Sequence, residues 1–399
     1  MEADEINVKG DKLALRIFKP SDNRLNGAAV VLAHGLSCTM DSRLFAFAEK
    51  FAEAGLTAIT FDYRNFGFSG GRLRQYINVP MQMEDWHHVL VYARNRPDVD
   101  ADRIVLWSTS FGGGLATHVA HDDGNIRAVV AQCPMMDNPK TIMLGMSQRS
   151  PAQNNKFKRL AVTAALMNLV GLRGPCLPVT DPSRMSIIPS DESGKFYEVG
   201  GPMWRNEVAV LSFAKGQTGV NNPIRIADAF TTPLLLQICE QDETVDNAGA
   251  EAFAEKAGGS VTKKYYDCGH FDLYLEPLFP NSAADATAYF LSKEGRKVKV
   301  IERDPTYKTA SFPLSLGGFR RQFFQTENIL LGKFAREFIF QIPELLKTEK
   351  NPKPTASMVT NGYLLMFGPE HAEEQYKALE NHKACEAGTK NIKGSELTK

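Results

Sequence analysis

Apolar residues form short continuous runs along the first two thirds of the chain, and the stretches between these runs show helical spacing. Such runs predict strands buried on both faces, and strands that alternate with helices are typical of a mostly parallel sheet. The pattern therefore predicts an α/β fold with helices on both faces of the sheet. The predicted strands are 28–33, 56–61, 103–108, 126–133, 232–239 and, more weakly, 261–266, and the predicted helices are 41–54, 81–95, one from Phe111, and 281–293.

The N-terminal residues follow a different pattern. Residues 5–20 alternate between apolar and polar around Gly10-Asp11, with Leu13, Leu15 and Ile17 on one face. This period of two predicts a β-hairpin, which would form the antiparallel edge of the sheet.

The alternation of strands and helices stops between residues 138 and 228, where methionine-rich, proline-rich and polar pieces replace it. An insertion between two strands of such a sheet is predicted to form a lid over the strand ends. Its large side chains suit either an adaptable apolar pocket wall or ordinary packing within the lid. The side chains in question are Met143, Met146, Met167 and Trp204 of the insertion, together with Met135 and Met136 just before it.

The last hundred or so residues follow the predicted sheet domain. Residues 326–342 place apolar side chains at helical spacing, and a shorter predicted helix at 370–382 precedes a polar tail. Because an apolar helical face has to be covered, we expect it to pack on the sheet domain or to join two copies as a homodimer. The predicted domains are a core of 1–137 and 229–293, a lid of 138–228, and a C-terminal helical extension of 294–399.

Composition narrows the classes of partner. The 399 residues include 46 acidic and 46 basic side chains, so the formal net charge is zero. A chain without excess positive charge has no electrostatic attraction for nucleic acid or for an anionic membrane, and we expect neither partner. The N-terminus, from Met1 to Glu5, is acidic where a targeting peptide would be basic, and no apolar run is long enough to span a membrane. These features predict a cytoplasmic protein.

The residues that commonly hold metals or nucleotides are not grouped as such sites require. The six cysteines are scattered without CxxC pairs, which predicts reduced and mostly buried thiols. His87 and His88 are adjacent and face different directions on a helix, and Gly112 to Gly114 are not followed by the lysine of a P-loop. We therefore expect no metal and no cofactor.

Ser110 is the candidate nucleophile. It lies in Ser108-Thr-Ser-Phe-Gly112, where a predicted strand ends and a predicted helix begins. A sharp turn with small residues on both sides of a serine holds its hydroxyl clear of the backbone. The usual pattern has glycine where this chain has Ser108, which tolerates a positive φ less well.

A serine hydroxyl also needs a base and a carboxylate that orients the base. His270 is the candidate base because it lies in a loop after the last predicted strand. Asp242 is the candidate carboxylate because it follows the strand 232–239. The rival carboxylates near strand ends are Asp137, Glu240 and Asp246.

An oxyanion hole requires two backbone N–H groups that point at the developing charge. Phe111 follows the nucleophile directly, and Leu36 follows His34-Gly35 at the end of another predicted strand. These two amides are the candidates, although His34-Gly35 is equally consistent with a plain turn.

Six segments of the chain carry these residues at characteristic spacing: HG at 34–35, FDYRNFGFSGG at 61–71, MEDWHHVLVYAR at 83–94, DRIVLWSTSFGGG at 102–114, DETV at 242–245 and GHFDLY at 269–274. Together they resemble the α/β-hydrolase superfamily. Within it they are similar to the dienelactone-hydrolase and peptidase-S15-like branch, in particular to hydrolases and polyketide acyltransferases of fungal biosynthetic clusters. The resemblance covers about residues 5–293 and implies the α/β-hydrolase fold.

The residues and the resemblance together predict a cofactor-independent serine hydrolase. Its substrate would be an ester, thioester or lactone of an apolar small molecule, and its intermediate an acyl-enzyme on Ser110. One alternative is an acyltransferase that uses the same triad to move a polyketide acyl group to an alcohol. Another is a non-catalytic relative that only binds ligands.

Overall fold

The computed structural model describes residues 1–21, 26–214, 222–257, 261–293, 295, 330, 341 and 372–385. The chain divides into two compact units, Met1–Ala310 and Ser311–Lys399. In the second unit, the structure describes one α-helix, Ala372–Ala384 (α10). This helix matches the predicted one, whereas nearly all of 326–342 lies outside the described residues.

An eight-stranded sheet forms the centre of the first unit, in the spatial order β1-β2-β4-β3-β5-β6-β9-β10. The strands β1 and β2 form the predicted antiparallel hairpin, β2 runs antiparallel to β4, and the remaining pairs are parallel. The predicted α/β fold is confirmed. The strands are β1 Glu2–Val8, β2 Asp11–Phe18, β3 Ala29–Ala33, β4 Thr57–Phe61, β5 Ile104–Thr109, β6 Ala128–Gln132, β9 Leu234–Cys239 and β10 Val261–Tyr266, and a separate antiparallel pair is formed by β7 Cys176–Leu177 and β8 Val208–Ala209.

Helices cover the sheet, and their bounds follow local signals. The first helix begins at Leu44 and not at Asp41, because Arg43 has φ 65°. This left-handed backbone conformation cannot be part of an α-helix. The second begins after Asn78, whose side chain accepts a hydrogen bond from the Met81 N–H. The helices are α1 Leu44–Glu53, α2 Val79–Arg94, α3 Phe111–Asp123, α4 Asn138–Ser147, α5 Pro151–Leu169, α6 Phe196–Val199, α7 Leu211–Ala214, α8 Asn247–Ala257 and α9 Phe279–Lys293.

The core lies between the sheet and these helices. The strands β3 to β6 and β9 are buried along their whole lengths, as the continuous apolar runs predict. Two large aromatic side chains are fully buried in it: Trp107 packs on Phe47 with ring centroids 4.4 Å apart, and Trp86 donates a hydrogen bond to the Tyr63 hydroxyl at 2.9 Å. This rigid sheet fixes the positions of the loops that follow its strands.

The chain between β6 and β9 contains α4 to α7, the β7–β8 pair and short 3₁₀ helices, including one at Asp191–Lys195. The helix α5 begins with a capping box, in which Ser150 and Gln153 bond to each other's backbone N–H groups. The proposed boundaries of core, lid and extension stay predictions. Among the described residues, no helix is both long and apolar enough to cross a bilayer.

Candidate active site

Ser110 lies at a sharp turn between β5 and α3, with φ 55° and ψ −130°. Its backbone N–H donates to the carbonyl of Gln132 at 2.8 Å, which ties the turn to the neighbouring strand β6. The positive φ therefore falls on Ser110 itself and not on Ser108. Ser108 is fully buried, and its hydroxyl donates to the carbonyl of Ala33 at 2.7 Å, so serine at the usual glycine position joins β5 to β3.

Two glycines allow the oxyanion loop to approach this turn. A Cβ at Gly35 would come within 2.9 Å of the Thr109 carbonyl oxygen and 3.0 Å of the Ser110 Cβ. A Cβ at Gly112 would come within 2.4 Å of the His34 carbonyl oxygen. Any side chain at either position would push the two loops apart.

Leu36 and Phe111, the two candidates for the oxyanion hole, line the same cavity as Ser110. Within the described residues, neither backbone N–H donates a hydrogen bond to the protein. Two unpaired N–H groups beside a serine hydroxyl can bind an oxyanion.

His34 holds the oxyanion loop in place. Its Nδ1 accepts a hydrogen bond from the Gly35 N–H at 2.9 Å, so its Nε2 carries the proton and donates to the Ser42 carbonyl at 2.7 Å. The ring stacks on Tyr274, with centroids 5.6 Å apart. Burial lowers the pKa of His34 to about 4, so the imidazole stays neutral and the loop keeps one geometry.

Asp242 and His270 meet at the carboxyl ends of β9 and β10. The His270 Nδ1 lies 2.6 Å from the Asp242 Oδ2, and the two side chains are 3% and 0% exposed. The other oxygen of Asp242, Oδ1, accepts hydrogen bonds from the N–H groups of Thr244 and Val245 at 2.8 and 2.7 Å. The carboxylate is therefore held by its own loop while it orients the imidazole.

Opposing effects set the pKa of His270. Burial disfavours the charged imidazolium and would lower the pKa. The negative charge of Asp242, its hydrogen bond and the charge of Glu192 outweigh burial, so the pKa of His270 is raised above its usual value of 6.5. Such a group can take up a proton near neutral pH, as a general base requires.

The rival carboxylates have other partners. Asp137 caps α4 by accepting from the Lys140 N–H, and Asp246 accepts from the Ala248 N–H at 2.9 Å. Glu240 is exposed. The structure thus brings Asp242 to His270, and the catalytic roles of Ser110 and this pair stay predictions.

Sequence reasoning did not single out Glu192, which comes from the 3₁₀ helix Asp191–Lys195 of the predicted lid. Its Oε2 accepts from the His270 backbone N–H at 2.8 Å, and its Oε1 accepts from the Glu243 N–H and the Thr244 hydroxyl at 2.9 Å. A Cβ at Gly269 would come within 2.4 Å of the same carboxylate, so this glycine leaves room for it. One side chain therefore connects the loops of Asp242 and His270, and no local motif marks it.

A cavity of about 380 Å³ opens beside Ser110. Of the side chains expected to form either a pocket wall or lid packing, Met135 and Met146 line this cavity, whereas Met136 is buried and Met143 is 67% exposed. Trp204 stacks on Phe196, with centroids 5.8 Å apart. The apolar walls of the cavity include Ile77, Val79, Met135, Ile142, Met146, Phe157, Ile187, Phe213 and Val245.

A comparison with models of protein families matches residues 26–278 to the family described as serine aminopeptidase, S33. The chain belongs to this α/β-hydrolase family. The resemblance stated from the six segments is confirmed. Membership also confirms that this hydrolase-family chain is an enzyme of the serine hydrolase or acyltransferase type.

Three relatives illustrate the range of the family. The quorum-quenching protein AidA of Acinetobacter baumannii is 32% identical over 281 residues, which cover 69% of this chain and 89% of AidA. The thiohydrolase aneE of Aspergillus aculeatus is 32% identical over 136 residues, covering 34% of this chain and 42% of aneE. The polyketide transferase grgF of a Penicillium species is 32% identical over 130 residues, covering 32% of this chain and 43% of grgF.

The crystal structure of the α/β hydrolase GrgF matches this chain with a TM-score of 0.63 and 20% identity, covering 74% of this chain and 99% of GrgF. At this level of identity the match shows the shared fold.

Cys133, Asp242 and His270 each place one potential metal-ligating atom within 4.8 Å of the others. Burial raises the pKa of the Cys133 thiol to about 11, so the thiol stays protonated and is a poor ligand. Asp242 and His270 already bond to each other. The three residues therefore form a hydrogen-bonded aspartate–histidine pair beside a protonated thiol, which is a poor arrangement for binding a metal ion.

Proposed function

We propose that this S33-family protein is a serine hydrolase that cleaves an ester, thioester or lactone of an apolar small molecule. The observation that carries the proposal is the position of Ser110, which lines an apolar cavity together with Leu36 and Phe111, whose amides have no acceptor within the described part of the chain. The buried pair of Asp242 and His270 at the same edge of the sheet supplies the base.

In the proposed reaction, the Ser110 Oγ attacks the acyl carbonyl carbon while His270 accepts the hydroxyl proton. Asp242 stabilises the imidazolium, and the amides of Leu36 and Phe111 bind the oxyanion. His270 then returns the proton to the departing alcohol or thiol as the acyl-enzyme forms. Water, deprotonated by His270, attacks the acyl-enzyme and releases the acid and free Ser110.

The cavity supports an apolar acyl group. Its walls are mainly aliphatic and aromatic, and its volume of about 380 Å³ suits a small molecule better than a folded peptide. The names of the relatives aneE and grgF, a thiohydrolase and a polyketide transferase, support a thioester or polyketide substrate. We propose a role in secondary metabolism on this basis.

A fluorophosphonate probe tests the assignment of the nucleophile. We expect intact-mass analysis to show one adduct on the wild-type chain and none on Ser110→Ala, with turnover of a thioester lowered about 10⁴-fold or more. Ser212→Ala is the matched control, because Ser212 lines the same cavity and its hydroxyl accepts a structural hydrogen bond from the Ile77 N–H at 2.9 Å. Labelling of Ser110→Ala, or its activity within tenfold of wild type, would refute the proposal.

Acyl transfer is the second candidate, and the likeness to the transferase grgF favours it. The chemistry differs only in whether water or an alcohol attacks the acyl-enzyme. Adding small alcohols during thioester turnover distinguishes the two. An ester product that replaces the free acid at low alcohol concentration would identify a transferase, whereas free acid alone would identify a hydrolase.

A further inference from the structure

Exposed apolar side chains are concentrated on one part of the surface. Eight of the fourteen large apolar side chains that are exposed among the described residues lie between Ile142 and Leu172. The most exposed are Leu169 at 80% and Val170 at 75%. Single exposed apolar residues are ordinary, but a group of this kind marks an interaction surface.

The same part of the chain is strongly basic. Residues 138–180 contain six lysines or arginines and no aspartate or glutamate, although the whole chain has a formal net charge of zero. Three of these, Lys156, Lys158 and Arg159, are exposed on α5 and form no ion pair within the described residues. The balanced charge of the whole chain therefore conceals a local positive surface.

Charge and apolarity are separated along α5. Lys158 and Arg159 lie one turn before Val162 on the outward side of the helix, and Leu166 and Leu169 continue that side toward the C-terminal end. The inward side is buried at Ala164. We define the α5 surface as the exposed side chains of Lys156, Lys158, Arg159, Val162, Leu166, Leu169, Val170 and Leu172.

We propose that the α5 surface binds a negatively charged lipid surface. The aliphatic side chains at the C-terminal end of α5 would enter the acyl layer, while the neighbouring basic side chains bind lipid headgroups. Apolar burial and electrostatic attraction both strengthen interfacial binding. A second copy of the chain fits less well, because the lysines and arginine of two such surfaces would repel each other. A protein partner fits less well too, because the α5 surface lacks the aromatic side chains that are enriched in protein interfaces.

The α5 surface adjoins the cavity beside Ser110. Phe157, Lys158 and Ala161 of α5 line the cavity, as do Ile142 and Met146 of α4. An apolar acyl compound dissolved in the lipid layer would therefore reach the cavity along the side of the helix that is bound to lipid.

Flotation of the full chain with vesicles tests this proposal. We expect binding to vesicles of phosphatidylcholine with phosphatidylserine, weak binding to phosphatidylcholine alone, and release by high salt. Lys156→Glu with Arg159→Glu, two exposed positions outside the cavity lining, should weaken binding by about 25-fold or more, since each basic residue near such a surface contributes roughly fivefold. Leu166→Glu with Leu169→Glu should abolish it, and Val91→Glu, at an exposed apolar position on α2, should leave it unchanged.

These measurements are independent of the proposed chemistry, because fluorophosphonate labelling of Ser110 in solution should be equal in all three variants. The proposal is overturned if the wild type does not bind the anionic vesicles, or if the two leucine substitutions leave binding intact. Light scattering that shows a dimer dissociated by the same substitutions would instead assign the α5 surface to a second copy. Binding to a purified acyl carrier protein without vesicle binding would assign it to an acidic protein and equally overturn the proposal.

Discussion

Both carboxylate oxygens of Asp242 accept hydrogen bonds, and they act on different parts of the site. Oδ1 accepts from the backbone of Thr244 and Val245, and Oδ2 accepts from His270. The loop thereby determines which oxygen faces the imidazole. At the scale of single residues, this arrangement and the contact of Glu192 lead to two predictions.

The first prediction compares two aspartates. In Asp242→Asn, the amide oxygen would remain on the two N–H groups, so the NH₂ group would face the His270 Nδ1 and favour a tautomer that cannot accept the Ser110 proton. We expect a loss of about 10⁴-fold in kcat, as in the serine-protease case of this substitution. Asp137→Asn should change kcat only slightly, because asparagine caps a helix as well as aspartate. If the two variants exchanged their effects, Asp137 and not Asp242 would be the carboxylate that orients the catalytic histidine.

The second prediction concerns Glu192, whose charge contributes to the raised pKa of His270. Because the base acts in its neutral form, kcat/KM should fall as the pH drops through this pKa, above 6.5 in the wild type. Glu192→Gln removes the charge, so the pKa of His270 should decrease and the acid limb of the pH profile should move to lower pH. Glu243→Gln, an exposed carboxylate on the neighbouring loop, is the control. A profile unchanged in Glu192→Gln would show that Glu192 serves only the fold.

At the scale of elements, the loop after β4 is attached to α2 by a buried ion pair. The Arg64 Nε lies 2.5 Å from the Asp85 Oδ1, with side chains 3% and 0% exposed, and the Asp85 Oδ2 accepts from the Arg64 N–H at 2.9 Å. A buried charge that loses its partner is strongly destabilising, whereas a partly exposed pair contributes little. The pair therefore makes the position of this loop depend on α2.

We accordingly expect Asp85→Ala to lower the free energy of unfolding by about 3–5 kcal/mol, because the Arg64 guanidinium would stay buried with one carboxylate fewer. Glu84→Gln should cost about 1 kcal/mol or less, since the Glu84 side chain is 27% exposed. Urea denaturation followed by circular dichroism measures both. Equal losses in the two variants would mean that burial does not distinguish these carboxylates.

At the scale of the whole molecule, every candidate site residue lies within the unit Met1–Ala310. We therefore expect a chain truncated after Lys293 to retain fluorophosphonate labelling at Ser110. The helical spacing of apolar residues in 326–342 predicts in addition that truncation causes aggregation or a change of oligomeric state, which light scattering would detect. A truncated chain with unchanged mass in solution and unchanged stability would show that the C-terminal extension is dispensable.

Much of the core could be predicted because its strands are buried on both faces. A strand such as β3 or β9 then has no polar face, and its run of apolar residues is visible in the sequence. The turn at Ser110 was visible for the same reason, since small residues follow such a run directly. The short elements between β6 and β9 could not be predicted, because they are stabilised by contacts between distant segments and not by a periodic pattern.

The sequence by itself determined the α/β architecture and a set of chemical groups at strand ends, because burial and sharp turns restrict residue type locally. Only the tertiary structure decided which groups meet. Asp137 and Asp242 follow two neighbouring strands, and only the folded structure shows that Asp242 is the one bonded to His270, at 2.6 Å. Glu192 reaches the His270 backbone across 78 positions of the chain. Hydrogen bonds between distant segments depend on three-dimensional packing, which no local pattern of residues records.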